Sequence, residues 1–325
     1  MIPPLPLFTV ALALVIDVVT GDPDRLYRRV SHPVVLMGRL IDLLDRRWND
    51  PGSSDFTRLV RGGFAVVVVI GVSGAIGMGV ATILDQLAYG WIIEAVLISV
   101  LIAQRSLYQH VRHVAMALKS GGLAAGRDAV GRIVGRQTAA LDESGVSRGA
   151  IESLAENFSD GVVAPVFWAA LFGLPGILVY KALNTADSMI GHRSDKYLHF
   201  GRITARMDDI ANFIPARIAG PLIALAALPL PRMSVACGVR TMLADARHHR
   251  SINAGYPEAA MAGVLGIRLS GPRAYEEIVV EEPWIGSGRD AQPPHMDDAL
   301  RVFVSACVIL FLIVAGGAAI ITGLP

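Results

Sequence analysis

Cysteine is almost absent: Cys237 and Cys307 are the only two in 325 residues. They stand far apart without metal-ligand spacing around them, which argues against a disulfide framework or a cysteine-based zinc site. Charge is scarce too, at 18% of residues, and almost balanced at a net +1. Neither a nucleic-acid footprint nor an acidic tail is indicated. Lysine is reduced to Lys119, Lys181 and Lys196, against 26 arginines. Arginine offers a planar fork suited to carboxylates and phosphates, although a GC-rich genome produces the same bias. There is no GxxxxGK[ST] phosphate loop, no HExxH and no GxSxG, and "GVSGAIGMG" lies inside an apolar run where it fits no nucleotide fingerprint.

What the chain has in abundance is apolar sequence. Hydrophobic residues make up 53% of it, and its mean hydropathy is +0.50. They gather in runs at about 2–19, 62–84, 91–104, 162–183, 213–230 and 302–323, the pattern of membrane helices and not of an amphipathic soluble fold. The N-terminus lacks a basic n-region and a clear cleavage site, so it reads as a retained first helix with Asp17 at an interface. Gly71, Ala75 and Gly79, four apart, form a small-residue stripe for close helix approach. Glu94, inside the third run, is either functional or a satisfied interhelical group.

Arginines crowd the segments 21–61 and 105–160, which the positive-inside rule places in the cytoplasm. The fourth and fifth runs are interrupted by "FGLPG" (Phe172 to Gly176), "GPL" (Gly220 to Leu222) and "LPLP" (Leu228 to Pro231). Proline and glycine break the helical ladder, and such breaks survive at membrane depth where protein or a water-filled cavity lines them. If these runs are half-helices or re-entrant, every large polar segment stays cytoplasmic; if both span, the polar island 184–217 faces outward. The first arrangement is preferred. The expected fold is all-α: a polytopic integral membrane protein with broken or re-entrant helices and cytoplasmic helical segments, forming one membrane-embedded domain over residues 1–325.

Three polar clusters are candidates for chemistry. "RGAIESLAENFSDGVVAP" predicts a helix over 148–160, stopped by Gly161 and Pro165, with Glu152, Glu156 and Asp160 spaced i, i+4, i+8 on one face. Without a balancing Lys or Arg on that face, such a stripe wants a cation such as Mg²⁺, unless it is merely solvated. The island 184–217 carries Asn184 and Asp187 at i, i+3, then Arg193, Lys196, Arg202, Arg206, Asp208, Asp209, Asn212 and Arg217. On spacing alone it is a salt-bridged surface as readily as a binding site. In "DARHHRSINAGYPEAAMAG", Asp245 and His249 at i, i+4 read as a hydrogen-bonded pair before a metal site, and Asn253, Gly255 and Pro257 predict a turn ahead of a helix with Glu258 in its first turn. Asp22 and His32 each precede a proline and take extended or turn conformations.

The segments "GDPDRLYRRVSHPVVLMGRLI", "RIVGRQT", "ESLAENFSDGVVAPVFWAALFGLPG", "KALNTADSMIGHRSDKYLHFGRITARMDDIANFIPAR" and "NAGYPEAAMAGVLGI", in this order over nearly the whole chain, closely resemble the adenosylcobinamide-phosphate synthase family (CobD/CbiB). The chain departs from that pattern at Ser251-Ile252-Asn253, where Ser-Pro-Asn is expected, and in "GPRAYEEI", which lacks a glycine after the tyrosine. The resemblance implies an integral membrane ligase of the bacterial cell membrane with a cytoplasmic active site. It would join adenosylcobyric acid to (R)-1-aminopropan-2-ol phosphate or a related aminoalcohol, with ATP and Mg²⁺. With that chemistry in view, Glu156, Asp160, Asp187 and Lys196 are expected to be catalytic, and Glu152, Asp208 and Asp209 to bind metal. Asn157, Asn184, Arg193, Arg206, Arg217, Asn253, Glu258 and His32 would bind substrates, with the "FGLPG" break bringing the two halves of the site together. A homo-oligomer, or a complex with other enzymes of the pathway, is a further expectation. Two rival readings are an AmpE-like membrane signalling protein and a corrinoid or ion transporter. Retention of the Glu-Asn, Asn-Thr-x-Asp and Asp-Asp-x-x-Asn clusters favours the enzyme.

Overall fold

Each expected apolar run carries a helix, because a backbone in hydrocarbon must satisfy its own hydrogen bonds. The computed structural model describes residues 6–21, 27, 31–134, 137–275, 278–280 and 282–323; Asp22, Arg25, Arg28, Arg29 and Arg136 lie outside that set. The helices are α1 (Pro6–Thr20), α2 (Pro33–Trp48), α3 (Asp55–Leu84), α4 (Gly90–Ser99), α5 (Gln104–Gly131), α6 (Glu143–Phe158), α7 (Ala164–Ile190), α8 (Arg202–Ala211), α9 (Phe213–Leu225), α10 (Val235–Asp245), α11 (Gly255–Leu265) and α12 (Pro293–Thr322). Among the described residues, four helical stretches are long and apolar enough to cross a bilayer: Asp55–Leu84, Gly90–Gly131, Glu143–Ile190 and Pro293–Thr322. At 13 residues, α9 extends about 20 Å, short of a hydrocarbon core of about 30 Å. The protein is an all-α polytopic membrane protein; short strands, which the hydropathy pattern does not announce, occur between Ile267 and Asp290.

By its internal contacts the chain divides into two units, Met1–Ala103 with Ala164–Asn212 and Val314–Pro325, and Gln104–Val163 with Phe213–Ile313. In the first, α3 lies along α7, and α2 closes a core of Ile41, Val69, Ala186 and Phe200. Glycines set that approach. A Cβ on Gly77 would stand 2.7 Å from Pro175 Cα, and one on Gly74 3.1 Å from Val179 Cγ2. Gly71 and Gly79, by contrast, have nothing within 4 Å. The helix therefore packs on a face adjacent to the expected small-residue stripe, because small residues recur on several faces of α3 and spacing does not say which one meets α7.

The break in α7 falls at Gly173, with φ 60° and ψ −150°, a backbone that a side chain would strain. It frees the Leu174 N–H, which donates to Glu94 Oε1 at 3.1 Å. Glu94 thus makes the interhelical contact that one of the two readings open in the sequence expects.

The segment expected to end at Gly161 and Pro165 does not end there. Helix α6 runs from its Asp142 cap to Phe158, and a π turn over Ser159–Val163 passes directly into α7. The widened turn shifts the hydrogen-bond ladder just where Pro165 has no N–H to give, so the proline is accommodated instead of stopping the helix.

In the second unit α9, α10 and α11 pack together. The small residues of α11 permit this: a Cβ on Gly263 would lie 2.5 Å from the Cys237 carbonyl oxygen. A three-stranded sheet follows, with β1 (Ile267–Ser270) antiparallel to β4 (Trp284–Ile285) and parallel to β5 (Arg289–Asp290); β2 (Arg273–Tyr275) and β3 (Ile278–Val280) form a separate antiparallel pair. Strands of two to four residues carry too little alternation to be read from sequence.

Candidate active site

Helix α8 has a strongly two-sided sequence, and its inward face presents Asp208 beside the last turns of α7. Asp208 is 9% exposed. Its Oδ2 accepts from Asn212 Nδ2 at 2.9 Å, and Asn212 Oδ1 accepts from the buried Tyr180 hydroxyl at 2.9 Å. Asp208 Oδ1 is buried without a well-formed hydrogen bond among the described residues. Burial first, and then the neighbouring Asp187 carboxylate, push Asp208 up to about 7; hydrogen bonding from Asn212 and Asn184 favours the ionised form and only partly offsets them. Burial likewise raises Asp209, against Arg206 and Arg193, and Arg206 Nη1 lies 3.7 Å from Asp209 Oδ2. Asn184, Asp187, Arg193, Arg206, Asp208 and Asp209, all expected from sequence, therefore belong to one neighbourhood. Tyr180, which the sequence reading missed inside an apolar run, anchors it.

That neighbourhood fits a hard cation carrying phosphates. Among the described residues no group of three or more His, Cys, Asp or Glu is arranged to hold a metal by itself. Mg²⁺, however, is ordinarily held by one or two carboxylates, waters and substrate phosphates. Asp208, with a buried oxygen that lacks a good donor, and Asp187 beside it are the residues that could hold one.

Lys196 lies on the same loop but is held elsewhere. Its Nζ donates to Asp45 Oδ2 at 2.7 Å and to the Tyr197 hydroxyl at 2.8 Å. Asn49 Nδ2 donates to Asp45 Oδ1 at 2.9 Å and to the Lys196 carbonyl at 3.1 Å, and Arg58 Nη2 donates to that same carbonyl. The loop after α7 is clasped to α2 and α3 by these bonds. His32, also in this unit, caps α2: its Nδ1 accepts from Val34 N at 3.2 Å, and its Nε2 lies 3.1 Å from the Val100 carbonyl.

The remaining expected residues belong to the second unit. Glu152 is buried, Glu156 and Asn157 are exposed, and Asp160 lies half-buried in the π turn. The Glu152 face does carry a balancing cation, contrary to expectation: Arg148 Nε stands 3.9 Å from Glu152 Oε1. The same oxygen accepts from Ser270 N at 2.7 Å, where Ser270 adopts a left-handed φ of 60°. The expected Asp245 and His249 pair does not form, because α10 ends at Asp245 and His249 is extended, which removes the i, i+4 geometry. Asp245 Oδ2 instead accepts from Gly286 N at 2.8 Å, and His249 Nε2 lies 3.5 Å from Glu258 Oε1. Glu258 does fall in the first turn of α11. Arg217 stacks on Phe213 and Tyr256, with its guanidinium carbon 3.4 and 4.3 Å from their ring centres, and donates to Asn253 Oδ1 at 3.3 Å.

A family model described as CobD/Cbib protein matches residues 10–303. The chain belongs to the CobD/Cbib family. It is 51% identical over 308 residues to the cobalamin biosynthesis protein CobD of a Sinorhizobium species, covering 94% of this chain and 95% of the relative. It is 46% identical over 320 residues to the protein of that name from Rhizobium meliloti, covering 96% and 97%, and 46% identical over 308 residues to that of Brucella suis, covering 94% of each. No solved structure matches. Membership of the CobD/Cbib family places the work of this membrane protein in cobalamin biosynthesis.

Proposed function

We propose that the chain is an ATP-dependent carboxylate–amine ligase that joins (R)-1-aminopropan-2-ol phosphate to the propionate of adenosylcobyric acid. Family membership supports the pathway. The observation that carries the reaction class is the desolvated Asp208, set against Asp187 and followed by an Asp209 that Arg193 and Arg206 neutralise in part.

A free carboxylate does not condense with an amine in water. Transfer of the γ-phosphoryl group of ATP to the propionate gives an acyl phosphate, which the neutral amine attacks, and inorganic phosphate leaves as the amide forms. A bound Mg²⁺ would neutralise charge on the transferring phosphates. Asp187 and Asp208 would hold it, with Asn184 orienting them. Arg193 and Arg206 would bind phosphate oxygens, with Asp209 steering Arg206. Glu156, Asp160, Asn157, Arg217, Asn253 and Glu258 are proposed for substrate contacts within the second unit. A bacterial cell-membrane location with the site on the cytoplasmic side completes this reading.

The test is incubation of purified protein with adenosylcobyric acid, ATP, Mg²⁺ and aminopropanol phosphate, followed by mass measurement of the corrinoid. Gain of the aminoalcohol phosphate less one water is expected. An unchanged corrinoid that instead accumulates in vesicles would assign a transporter.

A further inference from the structure

The second unit contains a cleft of 580 Å³ between the start of α12, the start of α5 and the turn after α9, lined in part by Tyr108, Arg112, Asp297, Arg301, Val304 and Val308. Its chemistry is graded along α12. Asp297 comes first, Arg301 one turn later, and Val304 and Val308 one and two turns beyond that. At about 1.5 Å per residue, roughly 6 Å separates the acid from the arginine, and roughly 10 Å separates the arginine from the last valine. No charged residue follows from Val302 to the end of the chain, so Arg301 marks the polar end of an apolar span.

Arg112 enters the cleft from α5, beyond the apolar stretch 91–104, and is exposed with no hydrogen bond or ion pair among the described residues. Arg301 Nη1 is bonded to Asp298 at 3.1 Å but remains 67% exposed. Val304 and Val308 are 46% and 52% exposed, and Leu312, the next residue on that face, is 60% exposed. The lining thus runs from carboxylate to guanidinium pair to bare aliphatic surface.

We propose that this cleft seats a phospholipid whose headgroup carries a phosphate and a primary ammonium, as phosphatidylethanolamine does. The phosphate lies between Arg112 and Arg301, the ammonium reaches Asp297, and an acyl chain runs along Val304, Val308 and Leu312. The sign of each group matches at its own level, and the order along the helix is that of the lipid along the bilayer normal. A strictly anionic headgroup would meet Asp297 without compensation. A quaternary ammonium offers that carboxylate no N–H. A free aminoalcohol phosphate shares the head chemistry and leaves the aliphatic face bare; that exposed face decides for the lipid.

Native mass spectrometry of the delipidated full-length protein tests this, with phosphatidylethanolamine, phosphatidylcholine, phosphatidylglycerol and free phosphoethanolamine as separate probes. The expected result is a phosphatidylethanolamine adduct favoured about fivefold over the other two lipids, lost in Arg112→Gln, and reduced to the phosphatidylcholine level in Asp297→Asn. Val308→Glu, which charges only the acyl seat, should abolish it as well. Equal adducts with all three lipids, retention in Arg112→Gln and Asp297→Asn, or binding of free phosphoethanolamine as tight as that of the lipid would each overturn the assignment.

Discussion

Asn212 donates to Asp208 Oδ2 at 2.9 Å while its own carbonyl oxygen accepts from the Tyr180 hydroxyl at the same distance. One side chain thereby fixes the end of α8 to the middle of α7 and sets the orientation of the most desolvated carboxylate in the candidate site. Asn212→Leu removes both bonds and takes from the buried Asp208 carboxylate its Asn212 donor, so a loss of about 2–3 kcal/mol is expected, against about 1 kcal/mol for Tyr180→Phe. Thermal unfolding in detergent measures both. Unchanged midpoints would show that this relay contributes nothing to the fold.

Asp208 also sets a pH dependence. Its carboxyl titrates near 7 in the folded chain against 3.8 as an ordinary aspartate. Between those values the folded state holds a proton that the unfolded state has released. Stability contributed by this group is complete below about pH 4, falls as pH rises, and is fully lost above 7, an effect of at most about 4 kcal/mol. Asp208→Asn should flatten the profile. Added Mg²⁺ should stabilise the wild type more at pH 8 than at pH 5, and this difference should vanish in the variant.

Gly191 guards Asp187. A Cβ there would stand 1.9 Å from Asp187 Oδ1 and 2.7 Å from its carbonyl oxygen. Gly191→Ala must turn the carboxylate away, and amide formation is expected to drop by at least about tenfold with helix content intact. Activity within twofold of wild type would remove Asp187 from the proposed chemistry.

The clasp on the loop after α7 separates packing from catalysis. Lys196 is 57% exposed at its side chain while Asp45 is 7% exposed, so Lys196→Met should cost no more than about 1 kcal/mol. Arg58, 8% exposed, donates to Asn49 Oδ1 at 3.1 Å as well as to the loop carbonyls. Arg58→Ala should cost about 2–3 kcal/mol and open the loop to protease. If Lys196→Met abolishes amide formation without altering stability, the lysine acts in the reaction and not in the clasp.

At the break in α7, Glu94→Leu leaves the Leu174 N–H without its acceptor in an apolar setting. A loss of about 1–3 kcal/mol is expected, with Glu94→Gln largely restoring stability because its amide oxygen still accepts. Equal stability of the two variants would refute the pairing.

The sequence by itself determined that this is a helical membrane protein, where its long apolar runs lie, that α7 breaks at "FGLPG", and which polar residues are candidates for the site. Those properties follow from hydropathy, length and backbone chemistry, which act locally. Packing decided the rest. Asp208 is desolvated beside Asp187 because α8 folds back on α7, and the polar buried end of Tyr180 has no signature within an apolar run. Glu152 finds Arg148 one turn away and Ser270 across 118 positions, so the stripe expected to call for a cation is partly neutralised by the chain. The i, i+4 pair of Asp245 and His249 failed because the helix stopped between them. Periodicity describes the face of one helix; only tertiary structure brings another element to that face and sets which charges are answered.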